Sequence, residues 1–192
     1  ILLSLPLNSF GHIGHYENFE KINMEVFKDG KNIGHSTYKF LRKKNILEVH
    51  NNTNFKVKIL GLKVFEIKSD SVEKYKDDKL IFFKSETFQN DKKKHVNLKL
   101  NEEEQQYYIE GSSYKGKANL DVVIGNWWNH KILQSKKQIS PISGSIKKQV
   151  VTFLKKEKII IYGKEYLTHK FKLKSQDPDI EIDKKLDFDI WI

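Results

Sequence analysis

A chain of 192 residues is long enough for one substantial hydrophobic core and short for two, so a single domain is expected. Hydrophobic residues make up 38% and aromatic residues 12%, enough apolar area to offset the entropy of ordering and to exclude a disordered chain. The lack of cysteine excludes disulfides, thiolate nucleophiles, zinc-thiolate sites and iron-sulfur clusters, and a net charge of +10 in which Arg42 is the only arginine speaks against a nucleic-acid reader.

The chain opens on Ile1-Leu2-Leu3-Ser4-Leu5-Pro6-Leu7, an apolar run too brief to span a bilayer, which needs about 20 residues. Small residues Ser9 and Gly11 follow, two apart. An apolar run before a small-x-small site is the layout of a secretory signal peptide. Residues 1–11 are therefore expected to be a signal remnant and residues 12–192 a single exported domain, periplasmic or secreted; the alternative is a first β-strand. Cleavage after Gly11 would make His12 the N-terminus, where its amine, its ring and His15 could chelate copper. Two exposed histidines in a frayed terminus are the plainer reading, and no metal site or cofactor is expected.

Strand patterns begin near residue 19. Ile22, Met24 and Val26 alternate with Lys21, Asn23 and Glu25, the period of a strand with one buried face. Asp29-Gly30 suits the positive φ angles of a tight hairpin, and Ile33 to Leu41 is the predicted return strand. Further strands are predicted at Ile46 to Leu60, Leu62 to Lys76, Leu80 to Phe88, His95 to Leu100 and Gln105 to Glu110, with turns at Asp77-Asp78 and near residues 90–94. Short turns between successive strands make antiparallel neighbours.

Between Gly111 and Ser145 the alternation lapses, and residues 114–134 are predicted to hold a loop or short helix. Strands resume at Lys148 to Leu154, Ile159 to Tyr162, Tyr166 to Lys174 and Leu186 to Ile192, the last reading as a strand cut short by a truncated C-terminus. The predicted class is mainly β: an antiparallel meander of about ten strands curled into a barrel or half-barrel, with the aromatic segment near 114–134 plugging its mouth. No later stretch is apolar enough for a transmembrane segment.

None of the motifs for a zinc protease, phosphate loop, nucleophile elbow or paired carboxylates is present, so no enzyme is expected. An active site would need a cleft where His130, His169 or other polar groups converge. His35, His50 and His169 fall within strand patterns, where a hydrogen-bonded histidine is commoner than a ligand. The densest unusual cluster is Trp127-Trp128-Asn129-His130, preceded by Tyr107, Tyr108 and Tyr114. It reads either as aromatic filling under a loop or as the wall of an apolar pocket, since ligand sites combine aromatic walls with a few polar groups. Trp127, Trp128, Tyr107, Tyr114 and His130 are thus the candidate ligand-binding residues.

The stretch Val26-Phe27-Lys28-Asp29-Gly30-Lys31-Asn32-Ile33-Gly34-His35, the later Trp128-Asn129, and the closing Phe188-Asp189-Ile190-Trp191 resemble a family of uncharacterised proteobacterial envelope proteins. At the level of fold the arrangement is also similar to periplasmic lipoprotein carriers, whose curved sheet holds acyl chains. The family implies no activity; the function expected from a concave sheet with Trp127, Trp128 and nearby tyrosines at its mouth is a periplasmic binding or carrier module for a lipid or other apolar or amphipathic ligand. The alternative is a structural or protein-interaction module of the cell envelope with no ligand pocket.

Overall fold

Thirteen strands, one 3-10 turn and no α-helix make up the described residues of the computed structural model, which are 18–59, 62–181 and 185–192. The proposed signal remnant, its cleavage point, His12 and His15 lie outside them. Eight strands run in chain order as an antiparallel meander: β1 (Lys21–Lys28), β2 (Lys31–Lys43), β3 (Ile46–Ile59), β4 (Leu62–Lys76), β5 (Lys79–Gln89), β6 (Lys92–Asn101), β7 (Gln106–Gly111) and β8 (Tyr114–Asn119). The turns explain why neighbours pair so tightly. Asp29-Gly30, Asp77-Asp78 and Asn90-Asp91 all have positive φ at both residues, the backbone whose twist matches that of the flanking strands. Asn, Asp and Gly tolerate this left-handed region best.

After β8 the chain leaves the meander and builds a second sheet, ordered β13-β12-β11-β10-β9. Its members are β9 (Val123–Ile124), β10 (Lys137–Ile139), β11 (Ile146–Ile161), β12 (Lys164–Ser175) and β13 (Asp187–Trp191). β9 and β10 run parallel, with Val123 opposite Gln138 and Ile124 opposite Ile139, and the 3-10 turn His130–Leu133 lies on the connection between them. All other pairings are antiparallel.

Four expectations are corrected. The strands number thirteen, not about ten. The meander does not close into a barrel: among the described residues β1 and β8 are its two edges, and the face that closure would have buried is covered by the second layer instead. The lapse in alternation also begins later, since Tyr114 to Asn119 pairs with β7 as a full strand, and the two strands expected at 148–154 and 159–162 are one, β11, carried across an irregularity at Phe153/Lys155.

The core follows from period-two alternation on the inner face of the meander. Phe40, Val49, Phe83, Leu98 and Ile109 point inward from five different strands and pack with Ile124, Trp128 and Ile139 of the second layer. On β5 the pairing skips Ile81, so that Tyr75 faces Leu80 and Glu73 faces Phe83, keeping both Leu80 and Phe83 inside. A smaller cluster of Ile132, Leu173 and Leu186 binds the 3-10 turn to β12 and to the segment before β13.

One backbone contact limits substitution. Gly34 on β2 sits beside β3 where an added Cβ would lie 2.1 Å from the Asn54 carbonyl oxygen and 2.5 Å from the Phe55 Cα. Both are backbone atoms that cannot move aside without breaking the ladder. Gly34→Ala is expected to cost about 1–3 kcal/mol, as overpacking of an ordered interior does. Urea denaturation measures it; an unchanged midpoint would show that β2 and β3 separate freely here.

Candidate functional site

The inner face of the meander is not apolar throughout. Along its centre the inward positions are Ser36 on β2, Asn51 and Thr53 on β3, Ser69, Ser71 and Glu73 on β4, and Ser85 and Thr87 on β5. These groups satisfy one another. Ser36 and Thr53 share a 2.7 Å hydroxyl contact, Asn51 Nδ2 donates to Ser36 Oγ at 2.9 Å, and Ser69 and Thr87 lie 2.7 Å apart. Ser85 Oγ donates to the Pro141 carbonyl at 2.5 Å, tying the meander to the second layer. Small side chains in a row remove volume from one wall, which leaves room between the layers.

That room is a cavity of about 380 Å3. One wall is Asn51, Thr53, Ser69, Ser71 and Glu73 of the polar track with Phe55, Phe65, Ile67 and Phe83; the other runs from Ile124 to Trp127 and from Ser140 to Ile142, with Phe188 from β13. The volume falls in the range of small-molecule sites, roughly 300–1,000 Å3, and the mixture of apolar walls with a few fixed polar groups is what such sites share. A broader trough of about 590 Å3 on the opposite face of the meander, lined by Lys39, Lys68, Lys84, Asp70 and Glu86, has no second layer above it among the described residues and is bordered by solvated charges.

At the inner end of the cavity stands Glu73, 1% exposed. Its carboxyl accepts from the Tyr75 hydroxyl at 2.5 Å, from Asn126 Nδ2 at 2.9 and 3.0 Å, and from the Trp128 indole N–H at 3.1 Å. Burial pushes its pKa up to about 7, although all three donors favour the charged form and pull the other way. Burial likewise raises Tyr38 to about 12 and Tyr75 well above the usual phenol value, with the neighbouring Glu73 adding to both. Glu73 is therefore a carboxyl poised to change charge near neutrality inside a mostly apolar chamber.

The adjacent tryptophans, at a bend between β9 and the 3-10 turn, divide between two environments. Trp127 is 44% exposed, lines the cavity and meets Phe188 edge-on at 4.9 Å between ring centres. Trp128 is 0% exposed; it stands edge-on to Phe40 at 5.3 Å and to Tyr75 at 5.7 Å, and it is not part of the cavity wall. Tyr107 is buried in the main core and borders a separate cleft beside Asn129 and Lys131. Tyr114 on β8 donates its hydroxyl to the Lys117 carbonyl at 2.8 Å and packs partly against the core. His130 begins the 3-10 turn that Asn129 caps by accepting from the Lys131 N–H at 3.0 Å.

Of the five predicted residues, then, the cavity gathers Trp127 alone. The residues that the sequence reasoning missed are Glu73, Asn126 and the Ser/Thr track. A signal for Glu73 existed: it shares parity on β4 with Ile67 and Tyr75, so a strictly alternating strand had to turn all three to one face. His50, read as a strand histidine, bonds Glu48 at 2.5 Å on the outer face, and His169 meets Phe153 edge-on at 5.9 Å. Among the described residues no group of three or more His, Asp or Glu is placed to hold a metal ion, and no helix is long and apolar enough to cross a membrane.

Two sheet layers with a partly polar chamber between them define a β protein built around an internal pocket. Residues 24–191 match the domain of unknown function DUF6134, and the chain belongs to that family. The stretch covers the Asp29-Gly30 hairpin, Trp128-Asn129 and the closing Phe188–Trp191 strand on which the sequence resemblance rests. No curated protein and no solved structure matches the chain.

Proposed function

We propose that the protein is a binding or carrier module for a small amphipathic ligand, held between the two layers with its polar group toward Glu73 and Asn126 and its apolar part against Phe55, Phe65 and Trp127. The observation that carries this reading is the chamber itself: a buried carboxyl with three donors at one end and aromatic side chains along the rest. A filled core would place a large apolar side chain where Ser69 and Ser71 stand. An exported, envelope location belongs to the same reading, supported by the apolar run Ile1 to Leu7 ahead of Ser9 and Gly11. The likeness to lipoprotein carriers is kept as part of the proposal, since an acyl chain is one ligand with the required chemistry.

Native mass spectrometry of the purified protein is expected to find a co-purifying small lipid, and titration with dansyl-undecanoic acid is expected to quench or shift Trp127 fluorescence. Trp127→Ala removes an aromatic wall worth about 0.5–1.5 kcal/mol and should weaken that binding by up to about tenfold, with little change in unfolding midpoint because the side chain is half exposed. No bound lipid and no fluorescence response would sink the reading and leave an interaction module of the envelope without a ligand pocket.

A further inference from the structure

The two ends of the meander differ in chemistry. At one end lie the turns after β1, β5 and β7 together with the last residue of β3 and the first of β4, and there apolar side chains face water. Leu62 on β4 is 72% exposed, Ile59 paired with it and Val64 two residues on are exposed as well, and so is Phe27 near the end of β1. The β11–β12 hairpin reaches the same end, because the Tyr162 hydroxyl at its tip donates to Glu25 near the end of β1. Ile160 and Tyr162 on that tip are 73% and 82% exposed, and the tip turn is Tyr162-Gly163, with positive φ at both residues. A bulky aromatic held in that backbone region and left in solvent is an unusual use of a turn.

Lysines ring these tips. Lys28, Lys63 and Lys158 are paired with Asp29, with Glu66 and Asp91, and with Glu165 respectively, while Lys31, Lys58 and Lys164 add further positive charge at the same end. Exposed apolar tips within a ring of lysines match the two layers of an anionic membrane surface: acyl boundary within, negative headgroups around it. The cavity lies close by. Phe65 pairs across from Val57 and Phe55 across from Ile67, only a few residues from the Ile59 and Leu62 tip, and the two phenyl rings stand 5.9 Å apart on its wall.

We propose that this hairpin end docks on membranes rich in anionic lipid and that the cavity exchanges its amphipathic ligand with the bilayer there. The exchange step rests on the carrier reading above; the docking face stands independently of it. The test is co-sedimentation with vesicles of phosphatidylglycerol and phosphatidylcholine against vesicles of phosphatidylcholine alone, for the wild type and for Leu62→Asp with Ile160→Asp, two exposed positions whose change leaves the core untouched. The wild type should sediment with the anionic vesicles and lose this as salt is raised, and the variant should partition at least about tenfold more weakly. In solution without vesicles, both should bind dansyl-undecanoic acid equally, while its transfer from anionic vesicles should slow only in the variant. A wild type that stays in the supernatant with both lipids, or a variant that sediments as well as the wild type, overturns the docking face. Sedimentation without any binding of the dansyl acid upholds docking and overturns the exchange and, with it, the carrier reading.

Discussion

Glu73→Ala is expected to destabilise the protein by about 3–5 kcal/mol, a large share of the stability of a domain this size. The loss has two parts. Three donors, the Tyr75 hydroxyl, the Asn126 amide and the Trp128 indole, would be left buried without their acceptor, each at a cost of about 1–3 kcal/mol where water cannot replace it. These donors come from β4 and from the segment after β9, so the carboxyl is also a polar link between the layers. Glu73→Gln keeps the shape and one carbonyl acceptor and should cost much less. The same pair of variants yields a pH test. The folded-state pKa, about 7, lies above the ordinary 4.5, so the stabilisation is fully present below about pH 4.5 and is lost as pH rises through 7. The shift corresponds to about 3 kcal/mol at 1.36 kcal/mol per unit. The other titratable groups facing Glu73 are Tyr38 and Tyr75, which stay neutral throughout that window. Urea midpoints of the wild type should therefore fall between pH 4.5 and 7.5, and Glu73→Gln should flatten that slope; equal slopes in both proteins would place the titration elsewhere.

For a carrier, this titration has a consequence at the site. Below neutrality the chamber ends in a neutral acid that can donate as well as accept, and above it in an anion that repels carboxylate headgroups and attracts cationic ones. Ligands of either charge should therefore show affinities that cross near pH 7, and the direction of the change reports which headgroup chemistry the chamber prefers.

Most of the meander was legible because local signals agree there. Ile22, Met24 and Val26, then Phe55, Val57 and Ile59, keep strict alternation, and Asp29-Gly30 and Asp77-Asp78 mark turns that the backbone adopts with both φ angles positive. β8 was hidden because two of its three inward positions, after Tyr114, are Gly116 and Ala118, too small to register as a hydrophobic period. Barrel closure was a fair expectation from strand number, but whether edges meet depends on what fills the interior, and that filling comes from residues 120–146, where no periodicity survives. At the site the difficulty was of another kind. In Ser71-Val72-Glu73-Lys74 the apolar Val72 and the charged neighbours suggest a solvated glutamate, yet pairing with β3 and β5 turns Ser71 and Glu73 inward and Lys74 toward Glu48 on the outer face, 2.9 Å away. Only the parity shared with Ile67 and Tyr75 betrays this. Likewise nothing in Trp127-Trp128 tells which ring is buried until the direction of the chain between β9 and the 3-10 turn is known.

Trp128→Ala is the second large effect, expected at about 3–5 kcal/mol, since it removes a fully buried indole from between Phe40 and Tyr75 and the two sheets cannot collapse onto the space. Two properties of the side chain contribute and can be separated. Trp128→Phe retains much of the packing but withdraws the N–H from Glu73, which should cost less in total and should also raise the Glu73 pKa further, because one donor favouring the carboxylate is gone. In Glu73→Gln the acceptor is neutral, so the same Phe substitution should cost less than it does beside a carboxylate at pH 8. A double-mutant cycle of Trp128→Phe with Glu73→Gln, followed by urea denaturation at pH 5 and pH 8, measures the difference. A coupling that is larger at pH 8 than at pH 5 identifies the indole as the clasp of an ionised Glu73. A coupling near zero at both would mean that Trp128 holds the second layer by packing alone, with Asn126 and Tyr75 sufficient for the carboxyl.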